Sequence, residues 1–454
     1  MQMKQSNQRI FAWSLILSLG GFLFGFDTAV ISGVEKTIQS LFRLSPLWHG
    51  FTISSALIGT IVGALGAGRP VDKYGRKPAL LVTAVLFLVS AIGSAVAGSV
   101  ETFILFRFMG GIAVGASSVA APMYISEVAP ASLRGRMTAL FQFNVIFGIL
   151  AAYVSNYFLN GLGDNAWRWM LGAGAVPALA WVFLLFLVPE SPRFLLQAGR
   201  REEAMRVLQQ AGSNSAMREM EGITQLDGRE RERLFAPRYI KPVSIAILVA
   251  MFNQFSGINA ILYFAPRIFE LTGLSGADSM LQPVIIGATN GIFTMLGLVI
   301  IDRVGRKKLL ITGSVGMAIC LGLTARAFYQ QSFQGYELVL LLTGYIMFFA
   351  FSTGAVIWVL IAEVFPTSVR GKGQSLGSFT HWFFAAMITF LFPAIAGQTE
   401  QGAGHAFLFF SLAMIVQAVV VWKYFPETKG KTLEELGAEL SPGHSKTTTI
   451  LEPH

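Results

Sequence analysis

One cysteine, Cys320, stands in 454 residues, so the chain has no intramolecular disulfide framework. It reads as a small apolar residue within a helix. Charge is also sparse. Asp, Glu, Lys and Arg make up 13% of the sequence, about half of their share in soluble domains. No Walker segment is present to cradle a nucleotide's phosphates, which argues against an ATP-driven pump. The five histidines (His49, His381, His405, His444 and His454) lack the spacing of metal ligands. No nucleophile or metal cluster suggests catalysis, so the expectation is a non-enzyme with no metal and no cofactor.

What the chain does have is apolar length. Hydrophobic residues make up 54% of it, and its mean hydropathy is +0.59. A membrane-spanning helix needs about 20 apolar residues. By that measure twelve runs qualify. The first six are 10–34, 50–70, 79–98, 102–126, 136–160 and 168–188. The other six are 241–271, 281–301, 308–328, 336–361, 374–396 and 404–425. The first run is too long for a signal peptide and shows no convincing cleavage site, so it is expected to remain as a span. Between 189 and 240 lies the one long polar segment, where stretches such as 201–211 predict short amphipathic helices.

The net charge of +9 does not point to nucleic acid, because the basic residues sit in short loops between the runs. Loop 2–3 holds Arg69, Lys73, Arg76 and Lys77, and loop 4–5 holds Arg134 and Arg136. Loop 8–9 holds Arg303, Arg306, Lys307 and Lys308, and loop 10–11 holds Arg370 and Lys372. The alternate loops hold fewer bases, chiefly Lys36 and Arg43. This asymmetry predicts a multi-pass protein of the cell membrane (inner or plasma) with both termini and the central segment cytoplasmic.

The sequence also repeats itself. Asp72-Lys-Tyr-Gly75-Arg76-Lys77 recurs as Asp302-Arg-Val-Gly305-Arg306-Lys307, displaced by 230. Glu127-Val-Ala-Pro130 with Arg134-Gly135 recurs as Glu363-Val-Phe-Pro366 with Arg370-Gly371, displaced by 236. Pro189-Glu190 recurs as Pro426-Glu427, displaced by 237. Three matches in one order at nearly one offset predict two six-helix halves. The expected divisions are a first half at 1–188, linker helices at 189–240, a second half at 241–431 and a cytoplasmic tail at 432–454.

Within the spans, Asp27 is the most conspicuous residue. It sits in an apolar run from Ile10 to Val34 that holds no other charge. An ionised group there costs about 3 kcal/mol or more unless it is protonated, paired or facing water. Arg107 in the fourth run is its candidate partner, and Gly111-x-x-x-Gly115 on the same helix permits close backbone approach. Spans seven to eleven hold unusual amides and aromatics. Gln254 and Asn259 are about 140° apart on a straight helix and would share a cavity more easily if the helix unwinds near Gly257.

These residues resemble the sugar porter family of the major facilitator superfamily, from Gly21 to about Lys431. The repeated Asp-x-x-Gly-Arg-[Arg/Lys] signature alone marks only the superfamily. Pro189-Glu-Ser-Pro-Arg193, Gln254-x-x-Gly257-x-Asn259 and Pro426-Glu-Thr-Lys-Gly430 belong to the sugar branch. The resemblance implies an all-α membrane protein of the major facilitator fold, with twelve helices in two pseudo-symmetric halves. It implies that Asp27 and Arg107 couple a proton, since passive members carry an uncharged residue in place of the aspartate. It also implies sugar contacts at Phe24, Gln142, Gln254, Asn259, Asn290 and Trp358, with Asn253 and His381 beside them. Asp72, Arg76, Glu127, Arg134 and Glu190, with Asp302, Arg306, Glu363, Arg370 and Glu427, would form the cytoplasmic gate. Taken singly, such ion pairs are worth about 0–1 kcal/mol when exposed.

The chain departs from the family pattern in places. Asn253 replaces the first glutamine of a usual pair, and His381 precedes Trp382 where an amide is common. Gly354 is not followed by the frequent proline, and Ile149 stands where a bacterial member carries a glutamine. The expected function is import of a monosaccharide (hexose or pentose) with a proton by alternating access. The expected partners are sugar, proton and lipid bilayer, and the expected working form is a monomer. The alternatives are a passive facilitator, a polyol or inositol symporter, and a sugar sensor that does not transport.

Overall fold

The computed structural model describes residues 2–130, 133–211, 233–270, 276–331, 337–366, 369–397, 399, 401–431 and 433–440. Among them every regular element is helical, with no strand. Twelve helices are long and apolar enough to cross a membrane. Spans 1 to 6 are Gln8–Gly33, Pro46–Gly66, Arg76–Val96, Val100–Val128, Gly135–Leu159 and Gly163–Leu185. Spans 7 to 12 are Pro237–Glu270, Ser279–Val304, Arg306–Gln330, Glu337–Glu363, Arg370–Ala396 and Gly402–Tyr424. The twelve apolar runs read from the sequence therefore each become a helical span, some of them broken. In the central segment, Pro192–Gln197 and Arg201–Gln210 are helical, as the polar pattern predicts.

Packing divides the chain into two compact units. The first holds residues 1–228, 259–291 and 389–394, and the second holds 229–258, 292–388 and 395–454. In the first unit, span 1 packs on spans 4, 5 and 6, span 2 on span 4, and span 3 on spans 4 and 6. In the second, the first part of span 7 packs on spans 10 and 12, and span 9 packs on both of these. The pairings 1–4, 1–6, 3–4 and 3–6 thus return as 7–10, 7–12, 9–10 and 9–12. The doubled sequence signature extends to helix packing.

Small residues set the closest of these contacts. A Cβ on Gly111 would lie 1.8 Å from the Ala56 carbonyl oxygen, and one on Gly59 would lie 2.1 Å from that of Phe108. Spans 2 and 4 therefore meet backbone to backbone, as the small-residue spacing on span 4 predicts.

The compact units do not follow the sequence repeat at 1–188 and 241–431, and the reason lies in span 7. Its helix stops at Phe255 and restarts at Ile258 across Gly257, whose φ is +83°. Beyond this break the chain bonds to the first unit. Tyr153 donates its hydroxyl to the Leu262 carbonyl at 2.9 Å, and Arg267 reaches Glu35 at 2.9 Å.

Candidate functional site

The charge in span 1 finds the partner that the sequence offers. Arg107 Nη1 lies 2.5 Å from Asp27 Oδ1, and Nη2 donates to the Asp27 carbonyl at 3.3 Å. Arg107 is buried and Asp27 is 18% exposed. Gly110, on the same helix as Arg107, lets Ser90 pack close, since a Cβ there would lie 2.3 Å from Ser90 Oγ. A small cavity borders the pair, lined also by Phe26, Phe87, Ser94 and Leu171. Tyr263, from the far part of span 7, is buried within electrostatic reach of both charges. Nothing in its sequence context marked it out.

The duplicated signatures fold into two near copies, one in each unit. In the first, Arg76 donates from Nε and Nη2 to the two oxygens of Glu127 at 2.9 and 3.0 Å. In the second, Arg306 does the same to Glu363 at 3.1 and 2.7 Å. These are forked, charge-assisted bonds, stronger than single ones. Asp72 and Asp302 flank the arginines at 3.7 and 2.9 Å. Gly75 and Gly305 carry φ of +103° and +98°. That turn starts spans 3 and 9 with their first N–H groups aimed at a glutamate, where a helix N-terminus favours negative charge. Glu190 accepts from the N–H groups of Arg76 and Lys77 at 3.1 and 3.2 Å. Glu427 accepts from those of Arg306 and Lys307 at 3.0 and 3.2 Å.

Burial raises the Glu190 carboxyl above its ordinary value, outweighing its backbone hydrogen bonds. Ser191 and Thr428 complete the copies by donating their hydroxyls to Glu127 and Glu363, the latter at 2.6 Å. The sequence carries this signal, because a hydroxyl residue follows the glutamate in both Pro-Glu-Ser and Pro-Glu-Thr. Every pair named here closes inside its own repeat. Arg370 donates to the Phe365 carbonyl at 3.3 Å, and the Arg134 side chain lies outside the described residues.

The amide and aromatic residues fall into two groups, one in each unit. Phe24, Gln142, Asn259 and Asn290 belong to the first, and Asn253, Gln254, Trp358 and His381 to the second. Gln254 and Asn259 stand on either side of the Gly257 break, so the helix does unwind where their spacing asks for it.

Within the second unit four of these residues interact. Gln254 Nε2 donates to Asn253 Oδ1 at 2.9 Å and lies 3.2 Å from each ring nitrogen of His381. The neutral imidazole offers one acceptor, so one of these contacts is a hydrogen bond. His381 also lies against Trp358, with ring centroids 5.0 Å apart. Trp358 itself is 37% exposed. Asn253 reaches the Thr353 carbonyl at 3.5 Å, inside a π-helical turn at Ala350–Gly354. Such turns recur at functional sites. Asn144 and Asn156, by contrast, are interhelical glue, bonding Ser18 Oγ at 2.7 Å and the Val30 carbonyl at 3.1 Å.

Twelve spans built on a doubled packing scheme, a charge pair within the membrane and an amide–aromatic cluster define a membrane transporter of the major facilitator fold. A family model described as sugar (and other) transporter matches residues 13–440. The D-xylose-proton symporter of Escherichia coli K12 is 36% identical over 98% of this chain and 99% of its own. The arabinose-proton symporter of Bacillus subtilis is 36% identical over 93% of each. The inward open conformation of the xylose transporter XylE from E. coli superposes with a TM-score of 0.85 at 36% identity, covering 95% of this chain and all of that one. XylE bound to 6-bromo-6-deoxy-D-glucose superposes at 0.80, covering 96% of this chain. The chain belongs to the sugar porter family of the major facilitator superfamily, and is a multi-pass membrane transporter, not an enzyme.

Proposed function

We propose that the protein imports a monosaccharide together with a proton by alternating access across the plasma membrane. The observation that carries this reading is the Asp27–Arg107 pair at 2.5 Å. A carboxylate held against a buried guanidinium keeps its charge, whereas one released from it inside the membrane favours protonation. If binding or closure of the sugar site changes this contact, proton affinity changes with conformation, and the two flows are coupled. The similarity to xylose-proton and arabinose-proton symporters supports the same coupling here. The basic loops support cytoplasmic termini.

Asn253, Gln254, His381 and Trp358 form the sugar-binding wall in this proposal, with Phe24, Gln142, Asn259 and Asn290 as further contacts. The duplicated signatures are proposed as the cytoplasmic gate, and each copy acts as a rigid corner within its own half. The test is counterflow and uptake in proteoliposomes with pentoses, hexoses and inositol, with and without a pH gradient. Accumulation of one monosaccharide driven by an inward proton gradient is expected. Equilibration without accumulation would leave a passive facilitator, and binding without uptake would leave a sensor.

A further inference from the structure

Among the described residues, a further buried charge cluster plays no part in the proposed proton and sugar sites. It lies between spans 1 and 2, at the opposite end of span 2 from the first signature. A short helix, Glu35–Leu41, follows span 1, and span 2 begins at Pro46. Glu35 is 1% exposed and His49 is 0% exposed. His49 Nε2 lies 2.7 Å from Glu35 Oε2. From the far part of span 7, Arg267 Nε donates to Glu35 Oε1 at 2.9 Å, and its Nη2 lies 2.9 Å from Oε2. The same Nη2 donates to Gln39 Oε1 at 2.5 Å. Lys36 and Glu270 add an ion pair at the rim. The His49 ring also stands edge-on to Phe264, with centroids 6.0 Å apart. All of these residues lie in the first compact unit.

Static packing is a poor account of this cluster. A buried ion pair gains little net stability, since desolvation offsets the attraction, and apolar residues of similar size would serve as well. The cluster's members are divided in a telling way. Glu35, Gln39 and His49 belong to the first sequence repeat, whereas Arg267 and Glu270 belong to the second. Contacts that cross the repeats at one face must form in one state of an alternating-access cycle and break in another. A forked Arg–carboxylate contact suits that task, because it is directional when closed and readily hydrated when open.

We infer that Glu35, His49 and Arg267 form a polar lock that holds the far part of span 7 against the start of span 2, and that this lock must break for the face opposite the duplicated signatures to open. The inference rests on the transporter reading. Its test reads neither sugar nor proton, so the two can fail separately.

Hydrogen–deuterium exchange of the full chain in lipid nanodiscs provides the test. Arg267→Gln and Glu35→Gln are compared with Lys36→Gln, which removes only the rim pair. Both lock variants should exchange on the order of tenfold faster in residues 35–51 and 258–270, with residues 72–77 and 302–307 unchanged. Arg267→Lys, which keeps the charge and loses the fork, should fall between. Arg267 is partly exposed, so its substitutions should fold even if Glu35→Gln does not. Unchanged protection in Arg267→Gln would overturn the lock. So would loss of protection spread evenly over all spans, which would make the cluster a general stabiliser.

Discussion

At residues 72–77 and 302–307 the two halves build almost the same object, and in their membrane interiors they share little. Each signature holds an arginine forked onto a glutamate, a glycine at positive φ, and a second glutamate receiving two helix-terminal N–H groups. Inside the spans, the first half carries a charge pair, Asp27 with Arg107. The second carries neutral amides and rings, Asn253 and Gln254 with His381 and Trp358. Shared chemistry at the helix ends suits a job that both halves do alike, such as moving as rigid bodies. Divergent chemistry in the interior suits a division of labour. A proton needs a titratable group, and a sugar needs many weak, neutral contacts.

The sharpest way to break this comparison is to remove the charge from the first half. With one proton per sugar, a pH difference of one unit is worth about 1.4 kcal/mol, or about tenfold accumulation. Asp27→Asn should lose all of that while keeping sugar counterflow, because the second half's amides are untouched. Uptake against a gradient and counterflow, measured in the same vesicles, separate the two. An Asp27→Asn protein that still accumulates sugar would place proton coupling elsewhere.

Much of this arrangement is legible in the chain itself, for a physical reason. In a bilayer a charge is so costly that Asp27 and Arg107 single each other out from 80 residues apart. Hydropathy marks the spans equally well, since backbone satisfaction allows little besides helices there. The lock at Glu35, His49 and Arg267 was not legible. Glu35 and His49 lie near the ends of apolar runs, where charged and polar residues are ordinary, and only folding shows that they are buried together. The compact units were also unreadable from the repeat. Gly257 signals a break in span 7, but not which neighbours the far part of the span takes.

A second prediction concerns the two signatures. Their bonds match, but their burial does not. Arg76 and Glu127 side chains are 3% and 8% exposed, against 10% and 22% for Arg306 and Glu363. The first copy is also covered by Tyr124, which donates to the Pro189 carbonyl, and by Lys77, which caps the Val188 carbonyl at 2.8 Å. Removing one partner of a buried pair leaves a charge uncompensated, at a cost of about 3–5 kcal/mol. Arg76→Ala should therefore lower thermal stability more than Arg306→Ala. Equal losses in matched melting curves would mean that the two copies are energetically alike despite their covering.

The third substitution tests the second half's interior. Gln254→Ala removes the donor shared between Asn253 and His381 and should raise the apparent KM for sugar about tenfold, the effect of one or two neutral hydrogen bonds. Because the Asp27 pair is untouched, the variant should keep its response to a pH gradient once sugar is saturating. Loss of that response would show that the interior sites are less separate than their chemistry suggests.

The smallest effect comes from Glu190. Burial lifts its carboxyl above the ordinary 4.5. Between that value and the raised one, the folded chain holds a proton that the unfolded chain has released. By linkage, this group's contribution to stability is complete below 4.5 and declines as pH rises through the folded value. An amide at this position has nothing to titrate, so Glu190→Gln should gain stability relative to the parent as pH rises across that window. The gain is small, since solvent reaches part of the group. Melting curves across the window read it as a slope in the difference between the two proteins. A flat difference would mean that the backbone N–H groups of Arg76 and Lys77 offset burial in full. If Glu427→Gln gave the same slope, the extra covering over the first signature would have no electrostatic consequence.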